Sequence, residues 1–331
     1  METLILTDEE VKSLLSMKEV MDNVELAFKE KALKRVQMPA KIYLFYSKYD
    51  GDLRAMPSYL EELDISAVKV VNVHPNNKDN YGFPTVMAVI ILVDPKTGFP
   101  LAIMGGKTIT DMRTGAAGGI AARYLARKDS KVLAFIGAGA QARTQLLALL
   151  EVYKNIEEVR IWSRSRETIE KFLADMSELH EHLPKLLPVA GVKEAVEGSD
   201  IVVTTTPSRR PIVMGYMVSA GVHFNCIGAD APGKQELDPE ILKRSKIVVD
   251  DWEQASHSGE INVTLSQGLI TKDDVWAEMG EIVAGLKPGR EKPDEITVFT
   301  STGLAIQDAV TAKIAYDKAV KKGIGRFVKI I

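Results

Sequence analysis

The sequence predicts an α/β fold, a parallel sheet covered by helices, preceded by a smaller α+β unit. Three observations predict it. From Lys131 onward, apolar strand-like runs alternate with helical ones, and alternation of this kind demands a parallel sheet with covering helices. The first hundred residues instead carry short β-like pieces separated by turns, the pattern of a mostly antiparallel sheet. Between them, residues 135–142 read Phe-Ile-Gly-Ala-Gly-Ala-Gln-Ala, a G-x-G-x-x-A run that closes an apolar strand and opens an apolar helix.

In order, Thr7 with Glu10 three positions later forms a capping box, and Val11, Leu14 and Leu15 follow at helical spacing. A second helix is predicted over 17–33, with Val20, Val24, Ala27, Phe28 and Ala32 on one side. Strands are predicted at 41–46, 52–56, 67–73, 85–93 and 100–104, divided by Asp50-Gly51, residues 74–77, Asp94-Pro95 and Thr97-Gly98. A helix rich in small residues is predicted over 114–125. Its glycines cost about 1 kcal/mol each in propensity, which close packing against a partner or ligand would offset. Strands at 131–136 and 158–162, each followed by a helix (140–153, 166–180), lead to strands at 201–204, 223–227 and 247–249. A last helix is predicted over 302–321.

At 331 residues the chain exceeds one ordinary core and suits two domains. Net charge is -3 and 46% of residues are hydrophobic, which points away from nucleic acid and from an anionic membrane surface. The one cysteine, Cys226, excludes an internal disulfide and fits a reducing, cytoplasmic setting. Glu2, Asp8, Glu9 and Glu10 do not make a secretory signal, and runs such as 85–93 are far short of the roughly 20 residues of a membrane span.

The glycine loop has a specific physical reading: a Rossmann-type dinucleotide site. Gly137 permits the tight turn, Gly139 lets the backbone approach a pyrophosphate, and Ala142 allows close helix–strand packing. The first turn of the helix, from Ala140 and Gln141, offers N–H groups and a partial positive charge to phosphates. For NAD, the next strand should end in a carboxylate for the ribose 2′-OH. Here Trp162 is followed by Ser163-Arg164-Ser165-Arg166, two hydroxyls and two guanidiniums, which favours the 2′-phosphate of NADP(H) over NAD(H). The bland alternative is a solvated turn. Thr205, Thr206 and Pro207 follow a strand and would lie at the sheet's carboxyl edge, where ligands bind.

Hydride chemistry on an amino acid needs cations for a carboxylate and a group that moves protons. Lys41, Arg54 and Lys69 lie near strands, and Arg113 lies at the predicted entry to the small-residue helix; singly, each reads as a surface charge. Lys69 departs from that reading because it sits within Ala67-Val68-Lys69-Val70-Val71. Burial there lowers a lysine's pKa and makes it an acid/base candidate. Gly228, Asp230 and Lys234 sit in a Gly/Pro-rich run after the strand at 223–227, which is either a plain turn or a loop holding Asp230 over the sheet edge. His180, Glu181 and His182 read as a solvated helix end, and His74 and His257 fit no zinc spacing, so no catalytic metal is expected.

Together these pieces resemble the ornithine cyclodeaminase/μ-crystallin family. The resemblance runs through Lys41 in Met-Pro-Ala-Lys, Arg54 in Asp-Leu-Arg-Ala-Met-Pro, Lys69 in Val-Lys-Val-Val-Asn-Val-His-Pro, and Arg113 in Met-Arg-Thr-Gly-Ala-Ala. It continues through the glycine loop, Gly-Ala-Asp230-Ala-Pro-Gly-Lys-Gln-Glu-Leu, and Ser301-Thr302-Gly303-Leu-Ala-Ile-Gln-Asp, covering essentially the whole chain. It implies a homodimer and a doubly wound Rossmann domain, 114–303, inserted into a substrate and dimerisation domain, 1–113 plus 304–331. It implies that Lys41, Lys69 and Arg113 hold the substrate carboxylate, that Lys69 or Asp230 transfers the proton, and that Thr114, Ser301 and Thr302 line the site of an NAD(P) cofactor. Where this chain has Arg54, the cyclodeaminases resemble one another in a glutamate that handles a diamine. An arginine repels an ω-ammonium and attracts a carboxylate, which favours the family's alanine dehydrogenase branch. The Trp-Ser-Arg-Ser-Arg segment resembles the ketimine reductase branch. A cyclic ketimine reductase, an ornithine cyclodeaminase and a non-catalytic crystallin-like binder are the alternatives, the last opposed by Lys41, Lys69, Arg113 and Asp230 standing in one chain.

Overall fold

A computed structural model describes residues 2–180 and 182–331, so Glu181 lies outside the described residues. The chain divides into two compact units, Met1–Arg113 with Leu304–Ile331, and Thr114–Gly303.

The first unit is built on an eight-stranded sheet. From one edge its order is Arg326–Val328, Thr3–Leu6, Pro100–Gly105, Val86–Val93, Ile65–Val73, Gly51–Leu60 and Val36–Gln37, with Ile42–Tyr46 also paired to Gly51–Leu60. All neighbours are antiparallel except Thr3–Leu6 with Pro100–Gly105. The strands Thr3–Leu6, Val36–Gln37 and Arg326–Val328 are too short to show a period in sequence. The capping box forms at the helix Asp8–Leu14: Glu10 N–H donates to Thr7 Oγ1, and Thr7 N–H donates to the Glu10 carboxylate at 2.8 Å.

Strand alternation decides which side chains face inward. Met56, Ser58 and Leu60 are buried on one strand, and Ile65, Ala67, Lys69 and Val71 on the next. The C-terminal helix Ala305–Lys322 packs on these strands and on the helix Met17–Ala32. On the opposite sheet face Ile42, Leu44, Met87 and Val89 are exposed.

The small-residue helix runs Lys107–Leu125, beginning well before the expected 114, so Arg113 lies inside it rather than at its entry. The reason is a distant cap. Asp8 accepts from the Thr108 N–H at 2.9 Å and from the Thr108 hydroxyl at 2.7 Å, which no local pattern reveals.

In the second unit all eight strands of the main sheet are parallel, ordered Lys185–Pro188, Glu158–Trp162, Val132–Ile136, Ile201–Thr204, His223–Cys226, Ile296–Thr300, Ser245–Val249 and Val275–Glu278. The order runs outward in both directions from Val132–Ile136, so the topological switch point lies between that strand and Ile201–Thr204. Alternate residues feed two cores, Phe135, Leu146 and Phe172 in one, Ile136, Phe224 and Val249 in the other. The glycines of the small-residue helix fit against the helix Ala140–Val152. A Cβ on Gly115 would run into the Thr144 carbonyl, and one on Gly118 into the Gln145 side chain. A buried polar chain fixes that contact. Gln145 donates to the Thr114 carbonyl at 2.8 Å, Asn225 to the Gly118 carbonyl at 3.0 Å, and the His223 ring lies between Asn225 and Thr297. Burial above all drives the His223 pKa down to about 3, so the ring is neutral.

Candidate active site

The glycine loop leaves the switch-point strand. Gly137 has φ +105°, a left-handed conformation that glycine alone adopts without strain, and a Cβ there would lie 2.7 Å from Thr205 Oγ1. Gly139 is the N-cap of Ala140–Val152 and gives it no side-chain cap. A Cβ on Gly139 would meet nothing within 4 Å, which leaves clear space before the helix. Arg143 braces the loop from behind, donating to the Ala138 and Gly139 carbonyls at 3.0 and 2.7 Å and pairing with Asp175. A helix N-terminus without a side-chain cap and clear space before it fit a dinucleotide pyrophosphate.

A cavity of about 520 Å³ continues from the loop, lined by Gly137, Gly139, Ser163, Arg164, Thr205, Thr206 and Pro207 among the expected residues, and by Trp162, Arg209 and Arg210 among those the sequence reading missed. Ser165 is not in that lining. Its hydroxyl caps the helix Arg166–Leu179, accepting from the Thr168 N–H, and the Arg166 guanidinium pairs with Glu170 one turn on. The chain after Trp162 therefore presents Ser163 and Arg164 to the cavity, with no carboxylate at the strand end.

Thr302, another expected dinucleotide contact, is tied to Asp250, a buried carboxylate that the sequence reading missed. Thr302 and Gly303 donate backbone N–H groups to Asp250 at 2.6 and 2.8 Å, and the Thr302 hydroxyl also reaches it. Ser301 and Thr302 are both buried. Asp230, partly exposed, pairs with Lys234 inside the loop after His223–Cys226. Asn262 holds that loop by accepting from the Gly233 N–H and donating to the Lys234 carbonyl.

In the first unit, the inward sheet face carries Arg54 and Lys69 on neighbouring strands. Lys69 is 1% exposed, and its Nζ lies 2.7 Å from Asp308 Oδ2. Arg113 Nε donates to Asp308 Oδ1 at 3.0 Å, and Arg113 Nη1 to Gln307 Oε1 at 3.2 Å. Asp308 thus bridges two buried cations from the C-terminal helix. Gln307 Nε2, also buried, has no hydrogen-bond partner among the described residues. Burial first, and then the Arg113 charge, pull the Lys69 ammonium down to about 7; the Asp308 carboxylate resists, and the Lys41 charge adds to the fall. Three cationic groups act around one carboxylate, an arrangement that attracts an anion. Arg54 has a partner on its own strand. It makes a two-point pair with Asp52 at 3.1 and 3.0 Å and lies over the Tyr43 ring, so Asp52 offsets the charge that would repel an ω-ammonium.

Among the described residues no three His, Cys, Asp or Glu side chains cluster so as to hold a metal ion, and no helix is long and apolar enough to cross a membrane.

A doubly wound parallel sheet whose first strand ends in this loop defines the second unit as a Rossmann-type dinucleotide-binding fold. The family model for ornithine cyclodeaminase/mu-crystallin proteins matches residues 1–323, and the chain belongs to that family. It is 54% identical to an alanine dehydrogenase of Archaeoglobus fulgidus over 331 residues, 99% of each chain. Among solved structures, an archaeal alanine dehydrogenase dimer with bound NAD superposes with a TM-score of 0.94 at 52% identity, covering 100% of both chains. A Δ(1)-pyrroline-2-carboxylate reductase of Thermococcus litoralis, in complex with NADH and L-proline, also gives 0.94, at 45% identity over 98% of this chain and 100% of that one.

Proposed function

We propose that the protein, an NAD(P)-dependent oxidoreductase, catalyses the reversible oxidative deamination of L-alanine to pyruvate and ammonium. The observation that carries this reading is the buried Lys69–Asp308–Arg113 cluster, two cations on one carboxylate, in which burial and the Arg113 charge pull the Lys69 ammonium down to about 7. The likeness to an alanine dehydrogenase over 99% of both chains supports the choice of substrate.

Lys41, Lys69 and Arg113 hold the substrate carboxylate, and Gln307 offers its amide N–H to the same anion. Gly137, Gly139, Ala140, Gln141, Ser163, Arg164 and Thr205–Pro207 hold the dinucleotide, with Thr114, Gly228, Ser301 and Thr302 completing its site. When bound, the nicotinamide exchanges a hydride with the substrate Cα. Lys69, neutral above about pH 7, takes the proton released as water adds to the iminium carbon; Asp230, paired with Lys234, is the other candidate for that step. Fixing the carboxylate sets the Cα–H direction and supplies much of the rate.

The likeness to the T. litoralis enzyme favours one second reading, reduction of a cyclic imine acid, which uses the same carboxylate site and the same C=N chemistry. Exposed Ile42, Leu44, Met87 and Val89 on one sheet face support a homodimer, and light scattering is expected to give twice the 36.4 kDa chain mass. A monomer mass at micromolar concentration would contradict it. Arg164 supports a preference for NADP(H). Arg164→Ser is expected to weaken NADPH binding roughly tenfold and leave NADH binding nearly unchanged, read by fluorescence titration. Equal losses for both cofactors would remove Arg164 from that role.

A further inference from the structure

Two carboxyls of the second unit, Glu236 and Glu260, are fully buried and play no part in the chemistry above. Glu236 lies on the strand Gln235–Leu237, just past the Asp230 loop. Its Oε1 accepts from the Thr206 N–H at 2.7 Å, and its Oε2 from the Gly228 N–H at 3.1 Å. It therefore ties the loop after Ile201–Thr204 to the loop after His223–Cys226. Glu260 stands behind it. One oxygen, Oε1, accepts from the Glu236 and Leu237 N–H groups at 2.8 and 2.7 Å. The other, Oε2, is buried with no hydrogen-bond partner among the described residues. Gly228 is shaped by the same contact, because a Cβ there would run into the Thr206 carbonyl and the Glu236 carboxylate.

We propose that Glu236 and Glu260 hold a single proton between them, carried on Glu260 Oε2, and that the ionised Glu236 acts as a positioning residue clamping the two loops that carry Thr206 and Gly228 at the dinucleotide site. The geometry gives the proton its place. Both Glu236 oxygens accept N–H groups, so neither needs a proton. Glu260 has one saturated oxygen and one bare oxygen, and a bare, buried carboxylate oxygen is costly unless protonated. Two buried carboxylates that act on each other also cannot both ionise cheaply. Burial raises both groups above the ordinary carboxylic range, and Glu236 raises Glu260 further. Thr205, Thr206 and Pro207 line the cavity in front of Gly137, so the clamp sets the wall against which the dinucleotide lies.

The inference rests on dinucleotide binding by the second unit and not on the choice of substrate. Two amide variants test it. In Glu260→Gln the side-chain oxygen can keep the two N–H donors while the NH2 replaces the protonated Oε2. Binding of NADH and NADPH, read by fluorescence titration, is expected to stay within about threefold of wild type. In Glu236→Gln one acceptor becomes a donor facing the Thr206 or Gly228 N–H, and binding is expected to weaken roughly tenfold or more. Infrared spectra give a readout independent of binding: at neutral pH the wild type is expected to show a protonated carboxyl band that Glu260→Gln lacks. Equal binding by Glu236→Gln and wild type would overturn the clamp, and an unchanged carboxyl band in Glu260→Gln would overturn the shared proton. A wild type that binds neither dinucleotide would overturn the reading on which both depend.

Discussion

Lys69→Met is expected to lower turnover in both directions by roughly 10²–10⁴-fold while leaving NADH binding intact, because it removes a proton-transfer group and none of the glycine-loop contacts. The side chain is almost fully buried, and methionine fills similar volume without a charge. The pH profile gives the sharper reading. Burial and Arg113 hold Lys69 at about 7, so its neutral form grows as pH rises through that value. If Lys69 is the base, alanine oxidation rises through about pH 7, and reductive amination, which needs the protonated form, falls over the same interval. Lys69→Arg stays charged throughout and is expected to lose that limb. A normal rate in Lys69→Met, or an unchanged limb in Lys69→Arg, would move the acid/base role to Asp230.

Asp308→Asn should act on both stability and chemistry. Asp308 is 1% exposed and is the carboxylate between Lys69 and Arg113. Removing its charge leaves two buried cations without it, a change that costs roughly 3–5 kcal/mol when one partner of a buried pair is lost. Part of that cost is relieved if Lys69 deprotonates. The Lys69 pKa then falls further below 7, and the limb of the oxidation profile moves to lower pH. Thermal unfolding and the same pH–rate profile measure the two effects. A variant as stable as the wild type, with its limb in place, would show that Asp308 does not set the charge state of Lys69.

What the sequence made legible was local. The G-x-G-x-x-A run declares itself because strand, loop and helix are consecutive, and the structure puts Gly137 in the left-handed conformation that the turn requires. Lys69 was legible because it occupies an inward position of an alternating apolar strand, where a charge is anomalous. Asp308 was not, since its partner Arg113 lies 195 residues away and helical periodicity marks it only as another residue on an unusually buried helix. Asp250, Glu236 and Glu260 escaped notice for a related reason: their hydrogen bonds come largely from backbone N–H groups of distant loops, which carry no side-chain signature. The central strand Ile296–Thr300 went unpredicted because its position between His223–Cys226 and Ser245–Val249 is a long-range fact. The start of the helix Lys107–Leu125 was placed late because Asp8, a hundred residues upstream, supplies its cap. Arg54 was legible by type, whereas its pairing with Asp52, a neighbour on its own strand, is read from the structure alone.

The most direct test of the proposed reaction is reduced-nicotinamide absorbance with purified protein, pyruvate and ammonium, run with NADH and with NADPH beside a parallel reaction on Δ(1)-pyrroline-2-carboxylate. Oxidation of the cofactor that depends on both pyruvate and ammonium, and exceeds the rate with the cyclic imine, is the predicted result. No oxidation with pyruvate and ammonium, with rapid oxidation on the cyclic imine, would contradict the alanine assignment and make the protein an imine reductase.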